Sequence, residues 1–190
     1  MTLNGSDLMV FVNSGTKLQS IAFATNHTLE VSMNTTDTST KDNGNGLWQN
    51  SEPGMMSWNM STENLMSDSA ENGLSFNSLF DIMLKRQTVE VAFALQTNNI
   101  DYQNKLDTVF EAPSDGWTPD SANQYHGKCY ITSLSITATN GEKATYSATF
   151  TGAGNLMKTG NGIQKKNTIS ASGSGAVSPV PTSSKKVSAE

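Results

Sequence analysis

Cysteine is nearly absent from this sequence: Cys129 is the only one among 190 residues, so the chain cannot form an internal disulfide. Cys129 lies in a strand-like run beside Tyr130, where a small buried side chain is the expected role. A catalytic thiol needs a neighbouring base. His126 is three residues away, and side chains at that spacing along a strand rarely align, so we expect no nucleophilic site.

Long hydrophobic runs are also missing. The longest apolar run covers residues 91–95, far short of the roughly 20 residues that span a bilayer. The N-terminal residues, MTLNGSDLMVFV, lack the basic region and the apolar core of a signal peptide. We therefore expect no membrane segment and no export.

The sequence contains none of the short motifs that mark common catalytic sites. G-x-x-x-x-G-K-[ST], G-x-G-x-x-G after a strand, C-x-x-C and H-E-x-x-H are all absent. Two histidines and one cysteine provide too few soft ligands for a transition-metal site. The run DNGNG at residues 42–46 lacks the spacing and the downstream glutamate of a calcium loop. We expect no enzymatic activity, no metal and no cofactor.

Charged residues are scarce, and basic residues are especially scarce in the main part of the chain. Residues 1–160 carry sixteen acidic residues against eight basic ones, whereas residues 161–190 carry four lysines and one glutamate. An acidic body does not bind nucleic acid by neutralising phosphates. Residues 160–190 are rich in Gly, Ser, Pro and Lys, as linkers are. We therefore predict a domain at residues 1–155 and a C-terminal extension at residues 156–190.

Strict alternation of apolar and polar residues predicts two β-strands around a long polar segment. Leu29, Val31 and Met33 alternate with polar residues in the first strand, and Met56, Trp58 and Met60 do so in the second. Residues 34–54 between them carry no core-forming pattern. An unstructured insertion of that length in a compact domain is usually functional or disordered. We predict that it contacts something outside its own fold.

One helix and several further strands complete the predicted elements. Residues 73–86 place Phe76, Leu79, Phe80 and Met83 at helical spacing, with Ser75 as N-cap. Asn140 and Gly141 predict a type I′ hairpin turn. Strands are predicted at residues 7–12, 18–25, 88–96, 105–110, 128–139 and 142–151.

Residues 5–155 resemble the major tail tube proteins of long-tailed bacteriophages, particularly the siphophage type. The stretches that carry the resemblance occur in the expected order along the chain. They are GSDLMVFV, KLQSIAFATNHTLEVSMNTTDTSTKDNGNGLW, GMMSWNMSTENL, the helical FNSLFDIMLKR and the hairpin ITSLSITATNGEKATYSATFTGAGNL.

The resemblance implies a mainly β fold: a tail-tube-type β-sandwich or half-barrel with one flanking α-helix and a long inter-strand loop. Six copies would assemble into a ring-shaped β-barrel, and stacked rings would form the channel that delivers the genome into the host cell. It also implies a virion tail location after assembly in the host cytoplasm. Tape measure, tail terminator and distal tail proteins are the expected partners, and DNA would cross the lumen without specific binding.

Two sets of residues follow from this template. The long loop would contact the adjacent ring, through Thr36, Asp37, Thr38, Lys41, Asp42, Leu47 and Trp48; Trp48 could instead cover its own core. Polar positions on alternating strands would face the lumen, and these are Glu30, Asn59, Glu90 and Gln96. A bore without basic residues lets a polyanion slide without being trapped.

Two other classes stay open at the level of sequence. The same fold serves in type VI-like and other contractile injection systems, and neighbouring genes would separate these from a phage tail. A β-sandwich adhesin or carbohydrate-binding module could use Trp48, Trp58 and Trp117 as a sugar platform.

Overall fold

One antiparallel sheet organises the computed structural model, which describes residues 3, 5–42, 48–67, 73–97, 113 and 116–164. After a short 3₁₀ helix at Gly5–Asp7, the elements follow in chain order. They are β1 Leu8–Asn13, β2 Leu18–Ser20, β3 Ala24–Asp37, β4 Ser51–Leu65, α1 Phe76–Leu84, β5 Val89–Gln96, β6 Pro119–Thr137, β7 Thr145–Gly152 and β8 Met157–Lys158. The strand order is β2-β1-β5-β6-β7-β4-β3, and β8 pairs with β6.

The 19-residue strand β6 joins the two halves of the sheet. Residues 124–129 of β6 pair with β5, and residues 129–137 pair with β7, with a bulge between Ile131 and Ser133. One half therefore contains β2, β1 and β5, and the other contains β7, β4 and β3. This is the mainly β, half-barrel architecture that the resemblance implied.

The core lies between the inner faces of the two halves. Val10 of β1, Met60 of β4 and Phe150 of β7 are fully buried in a single cluster, together with Leu79 of α1. The sheet curls far enough that the backbone N–H of Val10 on β1 lies 3.4 Å from Nδ1 of His27 on β3. Because β3 is an edge strand at the far end of the sheet, this contact brings the two halves together across the core.

The helix α1 begins and ends close to the predicted bounds. The Ser75 side chain accepts a hydrogen bond from the Ser78 N–H, as an N-cap does. Residues 73–75 are not helical, because the backbone of Leu74 hydrogen-bonds to Ser20 and Ala22 instead. The helix ends at Leu84, and Arg86 has a left-handed φ of 51°. Nine residues are too few to cross a bilayer, and the described part of the chain holds no longer apolar helix.

Three local predictions were wrong. The strand predicted at residues 18–25 breaks after Ser20, because residues 20–22 bridge to Leu74 and Phe23 then takes a φ of 53° before β3 begins. The strand predicted from residue 128 starts at Pro119 instead. The turn at Asn140-Gly141 is not type I′, since only Gly141 of the two has positive φ. It lies in a seven-residue connection, where a type I′ turn is not needed. The strand predicted at residues 105–110 lies outside the described residues.

Packing of the body continues beyond residue 155. Leu156 and Ile163 pack against the core cluster, and the Thr159 N–H donates to the Gln124 carbonyl at 2.9 Å. Residues 156–164 therefore cover β6 rather than leaving the body. The division of the chain into a domain and an extension stays a prediction, and residues 165–190 lie outside the described part.

Candidate functional site

The outer face of β3, β4, β7 and the C-terminal half of β6 is a continuous polar surface, called here the polar face. Cross-strand pairing arranges its side chains in three rows that run across the four strands. The rows are Glu30–Asn59–Thr151–Tyr130, Thr28–Ser61–Thr149–Ser133 and Asn26–Glu63–Ser147–Ser135. Alternation places these side chains opposite the buried Met60, Ala148 and Phe150.

Charge on the polar face is slightly negative. The acids Glu30 and Glu63 stand among hydroxyl and amide groups, and the three rows contain no lysine or arginine. Asn59 Nδ2 donates to Glu30 Oε2 at 3.2 Å, and the hydroxyls of Thr132 and Thr151 lie 2.8 Å apart. Because these groups pair with one another and none of them is a lysine or arginine, the three rows hold no cationic cluster for a phosphate.

The structure brings together only some of the residues predicted to face a lumen. Glu30 and Asn59 are direct cross-strand partners in the first row. Glu90 is exposed on the other half of the sheet, opposite Lys128, and its Oε1 lies 3.5 Å from Nδ1 of His126. That contact is an ion pair only when His126 is protonated, and it is not aligned as a hydrogen bond.

Gln96 is not available at the surface. Its exposed fraction is 8%, and it follows an irregular pairing between β5 and β6. On that half of the sheet Trp117 packs over Phe11, Ala92 and Ala94, so the outer face of β5 is covered there. Alternation indicated the face of Gln96 and could not show that another segment covers it.

Several members of the polar face were not among the predicted site residues. Ser147, Thr149 and Thr151 form the uncharged hydroxyl side of β7. Glu63 lies on the same face of β4 as Asn59, four residues further along the strand. The alternation of apolar and polar residues along each strand was sufficient to predict on which side of the sheet each of these residues lies. The missing information was that β7 lies between β4 and β6.

The second candidate feature is a projecting hairpin, called here the arm, which comprises residues 31–57. The segment at residues 34–54 was predicted to be unstructured, and this was wrong. Thr35, Thr36 and Asp37 pair with Pro53, Glu52 and Ser51, so the β3–β4 ladder continues to a loop of residues 38–50. Since β7 pairs with β4 only from Asn59 onward, the arm is a two-stranded ribbon beyond the sheet.

Hydrogen bonds close the base of the loop. The Thr38 N–H donates to the Asn50 carbonyl at 2.9 Å, and the Asn50 N–H donates to Ser39 Oγ at 2.8 Å. Asp37 Oδ1 accepts from the Ser39 N–H at 2.8 Å, and the hydrogen bonds from Ser39 lower the pKa of Asp37. The arm is therefore a defined ribbon at least as far as residues 38 and 50.

The predicted contact residues lie along this ribbon and its loop. Thr36 and Asp37 end strand β3, while Thr38, Lys41 and Asp42 belong to the loop. Trp48 is 85% exposed, so it does not cover its own core. Leu47 lies outside the described residues. The part that these residues play in ring contacts stays a prediction.

The root of the arm is fixed to the body by Trp58. Its Nε1 donates to the Gly154 carbonyl at 2.9 Å, and its ring lies against Gly127 of β6 and Gly152 of β7. A Cβ atom built on Gly152 would lie 2.4 Å from Trp58 Cε2, and one built on Gly127 would lie 2.7 Å from Trp58 Cζ2. Glycine is therefore required on both strands at this point. Trp58 is buried and Trp117 is half-buried, which leaves Trp48 exposed and argues against a three-tryptophan sugar platform.

Chemistry of a catalytic kind finds no support in these residues. Burial raises the pKa of Cys129 to about 12, and its Sγ contacts the Val89 carbonyl at 3.6 Å. A thiol with such a pKa is not a nucleophile at neutral pH. Among the described residues, no group of three His, Cys, Asp or Glu side chains could hold a metal ion.

Comparisons with known proteins agree with this architecture. The family model described as phage tail tube protein matches residues 2–158. Among curated proteins, none matches this sequence. The fold is similar to a chain of the virion of a native gene transfer agent particle, with 18% identity and a TM-score of 0.60 over 83% of this chain and 99% of that one.

Two further solved structures share the fold. A chain from the tail of an empty gene transfer agent particle, refined helically with C6 symmetry, has 17% identity and a TM-score of 0.62, and the match covers 83% of this chain and 99% of that one. A chain of the SPP1 tail tube has 10% identity and a TM-score of 0.56, and the match covers 85% of this chain and 81% of that one.

Proposed function

Because this chain belongs to the phage tail tube protein family, we propose that its copies close into sixfold rings that stack into the tube of a bacteriophage tail. The role is structural: the tube provides the passage through which the genome leaves the virion and enters the host cell. The similar gene transfer agent tail with C6 symmetry supports the sixfold ring.

The open edges of the sheet support ring closure. Among the described strands, the 14-residue β3 has no neighbour on its outer side, and β2 ends the sheet on the other side. Long unpaired edges bind other chains indiscriminately unless a specific neighbour covers them. In a closed ring each copy supplies the missing neighbour, and no edge is left.

The polar face is the observation that carries the proposal. Three rows of hydroxyl, amide and carboxylate groups without a basic residue span four strands of the sheet. Facing inward, they form a wet bore that repels phosphates weakly and offers no point at which DNA is held. We assign Glu30 and Asn59 to this lumen, add Glu63, and place Glu90 at its border.

The arm supplies the contact along the tube. Thr38 is half-buried, and the other predicted contact residues that the structure describes are exposed. They extend beyond the sheet, where a stacked ring is the natural partner, and they are Thr36, Asp37, Lys41, Asp42 and Trp48. Trp48 is the strongest candidate anchor, because large aromatic side chains carry much of the binding energy at interfaces. Tape measure, terminator and distal tail proteins are the partners expected at the ends of such a tube.

The test is electron microscopy of concentrated purified protein. Stacked rings with a central channel, and a reconstruction that places Glu30, Asn59 and Glu63 on the channel wall, are the expected result. A protein that stays monomeric at high concentration, also when tail initiator components are added, would contradict the proposal.

A further inference from the structure

Two separate apolar surfaces of this chain are left uncovered. The first is on the arm, where the core face of the sheet continues past its end as Val31, Met33 and Met56. Val31 pairs with Trp58 and Met33 pairs with Met56, so the three side chains form one stripe. Met56 is 69% exposed, and Val31 and Met33 are about half exposed.

The second uncovered surface is the outer side of α1. Phe80 and Leu84 are one helical turn apart and therefore share a face. Leu84 is 63% exposed, and Phe80 is exposed on one side while its ring stacks on Phe76 at 6.4 Å. Neither residue contributes to the buried cluster that Leu79 joins from the same helix.

Charges adjoin the two surfaces with opposite sign. Beyond the stripe, the arm carries Asp37, Asp42 and Glu52 against Lys41. Beyond Leu84 the helix is followed by Lys85 and Arg86, with Asp81 one turn earlier.

A cleft of about 340 Å³ opens beside Lys85, and it is lined by Lys128 and Glu90 among others. Along the arm the order is apolar and then acidic, and along the helix it is apolar and then basic.

We propose that the arm of one copy packs along α1 of the copy that it reaches. The stripe of Val31, Met33 and Met56 covers Phe80 and Leu84, and the acidic end of the arm lies at Lys85, Arg86 and the cleft. This inference rests on the proposed function, since it takes assembly as given and assigns the surface that receives the arm.

The pairing explains why both surfaces stay exposed in one chain. Arm and helix are different surfaces, so each copy donates one and receives the other, which is the heterologous kind of contact that continues from copy to copy. Burial of matching apolar side chains supplies the affinity, and the charges fix the register of the ribbon on the helix.

Cysteine cross-linking tests the contact directly. The variant Met56→Cys with Leu84→Cys places one thiol on each surface of every chain. Under mild oxidation of assembled protein, we expect a ladder of cross-linked chains on a denaturing gel. The native Cys129 is fully buried and does not interfere. The matched control is Met56→Cys with Met157→Cys, because Met157 is also exposed and lies on β8, which pairs with β6 and is not part of the surface proposed to receive the arm.

The outcomes separate this inference from the proposed function. A ladder in the first variant and none in the control supports the contact. Tubes that form normally while the first variant gives no cross-link would overturn it and leave the tube function standing. If the unmodified protein forms neither rings nor tubes with its initiator, the proposed function fails first, and the inference falls with it.

Charge reversal gives an independent readout. We expect Glu52→Lys alone, and Lys85→Glu alone, to slow tube elongation by about tenfold, and the double variant to recover most of the rate. Both positions are exposed, so folding should be unaffected. Equal elongation rates for all four proteins would show that these residues do not meet. So would a double variant whose elongation is slowed by the combined effects of the two single substitutions.

Discussion

At the scale of single residues, His27 connects two strands that are far apart in the sheet. Its Nδ1 accepts the backbone N–H of Val10 on β1 at 3.4 Å, and burial lowers the pKa of His27 to about 4. The neutral imidazole is the form that can accept this hydrogen bond. His27 was not singled out from the sequence, because a lone histidine in a polar stretch gives no sign of its partner.

Stability of the monomer should therefore fall as the pH is lowered. The folded pKa lies below the unfolded value of 6.5, so the unfolded chain takes up the proton first. The contribution of His27 to the free energy of unfolding is complete above about pH 6.5 and is lost as the pH falls towards 4. Between pH 7.5 and pH 5 we expect His27 to account for a loss of about 1–2 kcal/mol. Urea unfolding at the two pH values measures it.

The matched variant is His27→Asn, which keeps an acceptor near the position of Nδ1 and does not titrate. It should show a smaller change in unfolding free energy between pH 7.5 and pH 5 than the unmodified protein. Between pH 7.5 and pH 9 the two proteins should change equally. The same loss in both proteins at low pH would assign the effect to other groups.

At the scale of elements, the arm depends on the contact of Trp58 with two glycines. The pairing of β4 with β7 begins at Asn59, and the residue before it, Trp58, packs its ring on Gly152 and Gly127. The ribbon is thus anchored where it departs from the sheet. Sequence alternation identified Trp58 as apolar-facing, and only the structure shows the two glycines beneath it.

Replacing Gly152 by alanine should destabilise the protein. The added Cβ would lie 2.4 Å from Trp58 Cε2 and would displace the ring. Overpacking of this kind costs about 1–3 kcal/mol, which thermal or urea unfolding would detect. Gly5→Ala is the control, since a Cβ there meets nothing within 4 Å. Equal stability of Gly152→Ala and the control would mean that the ring does not lie as described.

The loop of the arm can be removed without touching the body. Asp37 and Ser51 are cross-strand partners, so residues 38–50 can be replaced by Asn-Gly, the preferred two-residue hairpin turn. We expect a folded protein with unchanged unfolding behaviour that no longer elongates into tubes under the microscope. Shortening the exposed β6–β7 connection is the control for an altered loop. Normal elongation without residues 38–50 would show that the loop is not the stacking element.

At the scale of the whole molecule, the polar face is the surface that we propose to line the bore of the tube. Its acids are few, and its other groups are hydroxyls and amides, so in that position we expect it to repel a passing polyanion weakly and to offer no point of attachment. This property belongs to no single strand, because each row takes one side chain from each of four strands.

Reversing the charge of the bore should slow DNA release. With Glu30→Lys and Glu63→Lys in every copy, we expect tubes to assemble and DNA ejection to slow, with a delay that shrinks at higher salt. Dye fluorescence during triggered ejection follows the rate. Glu142→Lys, exposed in the β6–β7 connection, is the control for added positive charge. Ejection at the unmodified rate would remove these acids from the channel wall.

The sequence by itself determined the local properties of this protein. Alternation fixed the face of Leu29, Asn59 and Thr149, helical spacing and Ser75 fixed α1, and the ordered stretches fixed the family, because each depends on neighbours along the chain. Long-range pairing was decided by the tertiary structure. It placed β7 between β4 and β6, covered Gln96, extended the arm as a ribbon and brought His27 to Val10, since these contacts join residues whose partners no local pattern specifies.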